Sequence, residues 1–258
     1  MDNKIKATAK TGYVAKGVVY TITGALAFMT ALNLGGQKAG KLQVIEFLEQ
    51  QSFGKIILGI LGIGLVCYAV WRFIQAFQDP EDIGTDSKAM IKRFSFGLSG
   101  LFYLGLGIYS IVEIFRENSS GGGSNSSLIP ADYRQYVFII VGIGLAIKGI
   151  YQFVKAYKGD FLKKFNLKSM SSEKRRKSIK TVAYLGLCAR GVVVGIIAYF
   201  FIKAGINSGS NDVGGTSEAF SFIQQNTSGP WLFALITAGL ACYGIYMFSM
   251  AKYRTFND

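Results

Sequence analysis

Six apolar stretches constrain the fold of this chain more than any other feature. They lie at 13–34, 54–77, 94–115, 136–157, 181–204 and 230–251. Each is close to the ~20 residues that a helix needs to cross the hydrocarbon core of a bilayer. Only 17% of the residues are charged, whereas soluble domains carry about 25%. We therefore predict an all-α, polytopic membrane protein with six transmembrane helices.

Lysine and arginine are distributed unevenly between the connections, and this pattern predicts an orientation. The N-terminal arm and the second and fourth connections are rich in basic residues, whereas the other three connections are poor in them. Because basic segments stay in the cytoplasm, both termini are expected there, and 161–180 is expected to form a basic cytoplasmic loop. The net charge of +13 favours anionic phospholipid as a partner of this face, and nucleic acid is not an expected partner.

The apolar stretches form three similar pairs. The first members share a glycine followed by apolar residues, at Gly17, Gly100 and Gly191. The second members share a Gly-Leu pair that begins at Gly64, Gly144 and Gly239. Two spans per pair is an even number, so all pairs enter the membrane from the same side. We predict three parallel two-helix repeats, at 1–80, 81–160 and 181–258, around a pseudo-threefold axis along the membrane normal.

A short amphipathic helix is predicted at 42–51, in the connection between the first two spans. Leu42, Ile45 and Leu48 follow a Gly-Gly turn at helical spacing, which is typical of a helix lying on a membrane interface. The connection before the last span repeats this design. The middle pair has instead the string SSGGGSNSSLIPAD, which predicts a flexible linker.

The motif Gly-x-x-Ala-[Lys/Arg]-Gly occurs at 12–17 and again at 186–191. Together with a Gly-Gly outer loop that ends in Phe53-Gly54 and the pair Trp71-Arg72, it resembles the bacterial membrane family called domain of unknown function 1206. The resemblance covers about residues 9–253 and is weakest in the middle pair, where Ser99 stands at the basic position. It implies a multi-pass protein of the bacterial inner membrane with three two-helix units, and it brings no catalytic residues.

Two basic residues stand near the predicted cytoplasmic starts of spans: Lys16 in the first and Arg190 in the fifth. One interpretation is that their long side chains snorkel to the headgroups and anchor the helices. The other is that they point inward and hold an anion or a lipid phosphate beside glycines that leave the backbone bare. Arg72, at the cytoplasmic end of the second span, would complete such a ring. These three residues form the candidate cytoplasmic anion or lipid-phosphate site.

Lys148 lies near the middle of the fourth span, where a lysine costs about 2.5–3.5 kcal/mol on insertion scales. Tyr68 and Tyr243 occupy the aligned positions of the other two pairs. Three polar groups are therefore expected at one depth near the axis, and Lys148, Tyr68 and Tyr243 form the candidate polar or ligand site. The alternative is a structural lysine that tyrosine hydroxyls and carbonyls cap.

The sequence does not show the residue patterns of a metal site or of an activated nucleophile. It contains no histidine, and its three cysteines lie inside apolar runs without metal-ligand spacing. We expect no metal, no cofactor and no enzymatic activity. The favoured function is a membrane module that binds lipid or an unidentified protein partner. The alternative is a transporter or channel for a small polar or anionic solute, with a site around Lys148.

Overall fold

The computed structural model describes residues 2–36, 40–115, 131–159, 161–162, 165, 173–207, 216–225 and 229–255. These residues form eight α-helices: α1 (Asn3–Ala31), α2 (Lys41–Glu49), α3 (Gly54–Phe77), α4 (Ser87–Glu113), α5 (Ala131–Lys158), α6 (Glu173–Ile206), α7 (Thr216–Gln225) and α8 (Gly229–Tyr253). Within the same residues, strand pairing is limited to one isolated bridge between Phe165 and Arg254. The all-α prediction is confirmed.

Six of the helices, α1, α3, α4, α5, α6 and α8, are long and apolar enough to cross a membrane. Their outer faces carry large exposed apolar side chains, such as Ile60, Leu101, Ile140 and Leu235. Water would hydrate these side chains at a cost that a lipid environment removes. The six helices indicate a multi-pass membrane protein.

The helix bounds agree with the predicted spans at some ends and differ at others. Helix α3 covers the predicted 54–77, whereas α1, α4 and α6 begin about two turns or more before their predicted starts. Asp2 and Asp86 cap α1 and α4, because their carboxylates accept hydrogen bonds from the backbone N–H groups of Lys4 and Ala89. The loop predicted at 161–180 is shorter than expected because α6 begins at Glu173. Residues 163–164 and 166–172 of that loop lie outside the described residues.

The six long helices pack side by side as an incomplete ring. The order around the ring is α4, α3, α1, α8, α6 and α5, and each helix runs antiparallel to its neighbours. The successive pairs α1/α3 and α6/α8 pack against each other. In contrast, α4 and α5 share no packed interface in the described part of the chain. We call this gap the α4/α5 opening.

Glycines allow the closest approaches between neighbouring helices. A Cβ atom on Gly12 of α1 would lie 2.5 Å from the Cα atom of Tyr68, and one on Gly186 of α6 would lie 2.5 Å from the Cα atom of Tyr243. Any side chain at these positions would overlap the backbone of the facing helix. A Cβ atom on Gly144 of α5 would meet nothing within 4 Å. The α1/α3 and α6/α8 contacts therefore depend on glycine, whereas this part of α5 has free space.

The two short helices lie at the end of the ring opposite to the chain termini. Each buries an apolar face, which consists of Val44, Ile45 and Leu48 in α2 and of Ala219, Phe220 and Ile223 in α7. The backbone N–H of Gly40 donates to the Ser217 hydroxyl at 3.1 Å, which joins the starts of α2 and α7. The structure thus has a helix where one was predicted at 42–51. Residues 119–130 of the linker predicted in the middle pair lie outside the described residues, and its last two residues begin α5. We call the two ends of the ring the α2/α7 end and the terminal end.

Candidate functional site

Lys16 lies at the centre of the ring, on α1, with its side chain only 1% exposed. Its ammonium group donates a hydrogen bond to the Tyr68 hydroxyl, with an Nζ–Oη distance of 2.8 Å. The Nζ atom also lies between 4.6 and 5.8 Å from the ring centroids of four tyrosines, Tyr20, Tyr68, Tyr103 and Tyr243. Cation–π attraction to several rings stabilises a charge that has lost its water.

Arg72 on α3 binds the same tyrosine hydroxyl as Lys16. Its Nε atom lies 2.8 Å from the Tyr68 Oη atom, and a second guanidinium N–H group also donates to this oxygen. A third group donates to the side-chain oxygen of Gln75 at 2.8 Å. Three N–H donors from two cations therefore meet at one neutral hydroxyl, which has only two lone pairs to accept them.

Arg190 on α6 repeats this arrangement with Tyr243 of α8. The guanidinium donates to the Tyr243 hydroxyl at 2.7 Å and lies 4.8 Å from the centroid of that ring and 5.6 Å from the centroid of Tyr20. The Nε–H group of Arg190 has no hydrogen-bond partner among the described residues. We call this set the cation–tyrosine cluster. Its members are Lys16, Arg72, Arg190, Tyr20, Tyr68, Tyr103 and Tyr243.

The positive charge of the cluster has no direct carboxylate partner among the described residues. Glu81 is linked to Arg72 through Gln75, whose amide nitrogen donates to the Glu81 carboxylate at 2.6 Å. The same carboxylate forms a salt bridge with Arg254. The described acid closest to Arg72 in the hydrogen-bond network is thus already paired, and the cluster keeps a net positive charge.

Lys148 of α5 lies at the edge of the cluster, and its side chain is exposed. Arg190, Tyr20, Lys41 and Arg72 are all close enough to act on its charge. It makes no hydrogen bond to any other described residue. Within the described residues, α5 shares an extensive interface with α6 alone, so Lys148 lies on the helix that borders the α4/α5 opening.

The structure brings residues of the two predicted sites together into one cluster. Tyr68 and Tyr243 lie in the ring interior as expected, but their hydroxyls accept hydrogen bonds from Lys16, Arg72 and Arg190. The two predicted sites therefore share one cluster, and Lys148 stands beside it. No described tyrosine hydroxyl caps Lys148.

The snorkelling interpretation is wrong for Lys16. It assumed a helix start near Tyr13, but α1 begins at Asn3 and places Lys16 in its middle. The ammonium is buried among tyrosine rings and does not reach an interface. Arg190 is also far from its helix start, because α6 begins at Glu173.

Sequence reasoning missed two members of the cluster, Tyr20 and Tyr103. Tyr20 follows Lys16 by four residues, and Tyr103 follows Ser99 by the same interval. Residues four apart lie on the same helix face. A tyrosine one turn after the basic position of the repeat was therefore an available signal. The hydroxyls of Tyr20 and Tyr103 lie 3.5 Å apart.

A second polar group closes the terminal end of the ring. The Trp71 indole N–H donates to the Tyr13 hydroxyl at 3.0 Å, and Arg254 contacts both that hydroxyl and the Glu81 carboxylate. Trp71 and Arg254 are buried. The nearby turn is held by Asp79, which accepts two backbone hydrogen bonds at 2.9 Å that lower the pKa of its carboxyl group.

Two regions of the chain, 11–79 and 185–254, match the family described as Domain of Unknown Function (DUF1206). Together they cover more than half of the chain. The chain belongs to this family. The match contains most of α1 and α6 and all of α2, α3, α7 and α8, and it leaves out α4 and α5. The resemblance inferred from the repeated motif is thereby confirmed.

A relative of this DUF1206 protein is the Uncharacterized protein YxxB of Bacillus subtilis (strain 168). The two are 27% identical over 255 residues, which cover 97% of this chain and 91% of the relative. No solved structure matches the chain. In the described part of this family member, no group of three or more potential metal ligands comes together.

Proposed function

We propose that this protein is a non-enzymatic module of the bacterial inner membrane that binds anionic lipid at the cation–tyrosine cluster. One observation carries the proposal: Lys16, Arg72 and Arg190 converge inside the ring, and their hydrogen-bond acceptors are neutral hydroxyl and amide oxygens. Removing a charge from water costs several kcal/mol per ion, even after relaxation. A bound anion would offset part of this cost, which gives the cluster an affinity for negative groups.

The α4/α5 opening supports a lipid over a ligand from water. The terminal end is closed by Trp71 and Arg254, so the side of the ring offers the more direct route to the cluster. Lys148 stands beside that opening and complements a negative headgroup. A lipid that enters sideways could place its tails between α4 and α5 and its phosphate near Lys148 and Arg190.

A transporter or channel for a small polar or anionic solute is the second candidate. It is favoured by the position of Lys148, a charged residue in the middle of a membrane span. It is disfavoured by the closed terminal end and by the burial of Lys16, Tyr68 and Tyr103 in the ring interior. A protein partner on the exposed faces of α4 and α5 is a further alternative that binding experiments can separate.

We also propose that the six spans form three parallel repeats around a pseudo-threefold axis. The matched glycines support this arrangement. A Cβ atom added to each of Gly17, Gly100 and Gly191 would lie 2.8–2.9 Å from a phenylalanine ring. The phenylalanines are the aligned residues Phe248, Phe73 and Phe153. Equivalent contacts between different helices are expected when one unit is repeated.

The distribution of lysine and arginine supports an orientation with the terminal end in the cytoplasm. There the basic segment around α6 would attract anionic phospholipid, with about 1 kcal/mol per basic residue near the surface. Cysteine labelling in intact cells, after replacement of Cys67, Cys188 and Cys242, tests the orientation. A cysteine at Ser52 should react with an impermeant reagent, and one at Asp82 should react only after permeabilisation. The reverse result would exclude this orientation.

Lipid binding is tested with the purified protein in nanodiscs of phosphatidylcholine, with and without phosphatidylglycerol. Anionic lipid that binds only the folded state should stabilise it. At a lipid concentration of one hundred times Kd, the free energy of unfolding of the wild type should rise by about 2.7 kcal/mol. Arg190→Gln should lose most of this gain, because the cluster then has one charge less. Equal stabilisation of the wild type and Arg190→Gln would exclude the cluster as the lipid site.

Lys180→Gln is the matched control, since Lys180 is an exposed residue of the same helix and carries the same charge. It should keep most of the stability that anionic lipid adds to the wild type and lose no more than about 1 kcal/mol, the attraction of one surface basic residue. If both variants lose the gain equally, the effect is general surface electrostatics. If neutral and anionic lipids stabilise the wild type equally, the protein is not an anionic-lipid module.

A further inference from the structure

A cavity lies at the α2/α7 end of the cation–tyrosine cluster, between α1, α6 and α8 and beneath the starts of the two short helices. Its polar lining consists of Tyr20, Thr23, Lys41, Arg190 and Thr216, and the rest is aliphatic. Two of the five polar residues are cations, and no acidic residue of the described chain lines it. We call it the outer cavity.

Two polar groups at the outer cavity lack hydrogen-bond partners in the part of the chain that the structure describes. Thr23 is 2% exposed, and its hydroxyl has no partner there. The Nε–H group of Arg190 also has no hydrogen-bond partner among the described residues. Buried polar groups are normally hydrogen-bonded. Two such groups that line one cavity indicate that something else supplies the missing contacts.

Lys41 contributes a second positive charge from the first residue of α2. Its Nζ atom lies 5.3 Å from the ring centroid of Tyr20 and 5.6 Å from that of Phe102, and it has no carboxylate partner among the described residues. It therefore stands over the cluster with its ammonium donors available.

The starts of α2 and α7 add further positive potential. Thr216, the first residue of α7, and Lys41 both line the cavity, and the Gly40–Ser217 hydrogen bond holds the two helix starts together. The α2 N-cap, Gly40, makes no side-chain capping bond. Backbone N–H groups at a helix start are free to bind an anion, and the helix dipole favours negative charge there.

We propose that the outer cavity binds the phosphate group of its ligand. Arg190 and Lys41 supply the charge, and Thr23 and Thr216 donate hydroxyl hydrogen bonds. A tetrahedral phosphate presents acceptor oxygens in several directions, which suits donors that come from α1, α2, α6 and α7. This inference rests on the proposed function, since it names the group that the lipid site recognises. A phosphodiester headgroup and free inorganic phosphate share this chemistry.

The test uses the full-length protein in phosphatidylcholine nanodiscs. One arm titrates inorganic phosphate, with chloride at equal ionic strength as the reference. The other arm adds phosphatidylglycerol to the nanodiscs. The variants are Lys41→Met and Thr23→Val, and the control is Lys55→Met, which removes an exposed charge at the same end of the ring. Thermal stability and calorimetry report binding.

Phosphate binding should weaken about tenfold in Lys41→Met and severalfold in Thr23→Val, and should not change in Lys55→Met. Thr23→Val should also be at least as stable as the wild type without ligand, because it removes an unpartnered hydroxyl of similar size. If Lys41→Met and Lys55→Met bind alike, and Thr23→Val binds like the wild type, the outer cavity is not the phosphate site.

The two arms separate the two proposals. Anionic lipid that binds independently of Lys41 and Thr23 would overturn the outer cavity and leave the lipid function standing. Inorganic phosphate that binds through these residues, without any effect of anionic lipid, would support the cavity and overturn the lipid function. Absence of binding in both arms would overturn both.

Discussion

Two of the three successive span pairs, α1/α3 and α6/α8, are closed, and the third, α4/α5, is open. In each closed pair a cation on the first helix donates to a tyrosine on the second, Lys16 to Tyr68 and Arg190 to Tyr243. In the open pair the aligned residues are Ser99 and Lys148. The cation has moved to the second helix, and no described residue of α4 accepts a hydrogen bond from it.

Side-chain size distinguishes the pairs in the same way. In the closed pairs, Gly64 and Gly239 would place a Cβ atom 2.6 and 2.4 Å from the Cβ atoms of Ala15 and Ala189. The residue of α4 aligned with these alanines is Leu98, which is 54% exposed. A leucine holds the helix axes further apart than an alanine does. The sequence of α4 therefore disfavours the close contact that the other two pairs make, and the opening follows from that.

The largest expected effect comes from placing a large side chain in the close contact between α6 and α8. Gly186→Leu would drive a side chain into the backbone of Tyr243, and overpacking of this kind should cost about 3 kcal/mol or more. We expect loss of most folded protein, measured as the monodisperse fraction in size-exclusion chromatography.

Gly144→Leu is the matched control in the open pair, since nothing lies within 4 Å of an added Cβ atom there. It should fold normally, because leucine is a better helix former than glycine. If both variants lose folded protein to the same extent, α5 is packed against another element and the opening does not exist.

An effect of intermediate size should distinguish the two closed pairs: the loss of stability when the tyrosine hydroxyl of each pair is removed. Tyr68→Phe removes the acceptor of two cations, and Tyr243→Phe removes the acceptor of one. A hydrogen bond to a charged group contributes about 1.5–3 kcal/mol. We expect losses of about 3 kcal/mol for Tyr68→Phe and about 1.5 kcal/mol for Tyr243→Phe in reversible unfolding from mixed micelles.

Tyr199→Phe serves as the reference, because Tyr199 is exposed on the outer side of α6. It should unfold like the wild type. Equal losses for Tyr68→Phe and Tyr243→Phe would mean that Lys16 or Arg72 does not depend on the Tyr68 hydroxyl.

The number and type of the long helices could be predicted because apolar length is a property of each segment alone. Helix α3 shows this best, since its polar flanks coincide with its ends. The early start of α4 could not be predicted from hydropathy, because Asp86 caps a polar turn that lies before the apolar run. The helical character of that turn depends on a side-chain hydrogen bond, which periodicity does not report.

The candidate site was predictable only in part, for a similar reason. Alignment of the repeats selected Lys16, Arg190 and Tyr68, which share one cluster. It did not indicate Thr23 or Lys41, because Lys41 comes close to Thr23 only through the way in which α2 folds back over α1. Which cation meets which tyrosine is decided by contacts between helices that are distant in sequence. No pattern within one helix contains that information.

The smallest expected effect concerns Lys148 in the open pair. Its side chain is exposed and makes no hydrogen bond to a described residue, and Arg190 repels it. Lys148→Met keeps the length of the side chain and removes the charge. In phosphatidylcholine nanodiscs its free energy of unfolding should therefore stay within about 0.5 kcal/mol of the wild type, as for most exposed substitutions.

In nanodiscs with phosphatidylglycerol, the free energy of unfolding should rise more for the wild type than for Lys148→Met, because only the wild type presents a cation beside the opening. Lys92→Met, at a half-buried residue of α4, controls for charge alone and should keep most of the added stability. A loss of more than about 2 kcal/mol in neutral lipid would assign Lys148 a structural role, and the closed and open pairs would then differ less than their contacts indicate.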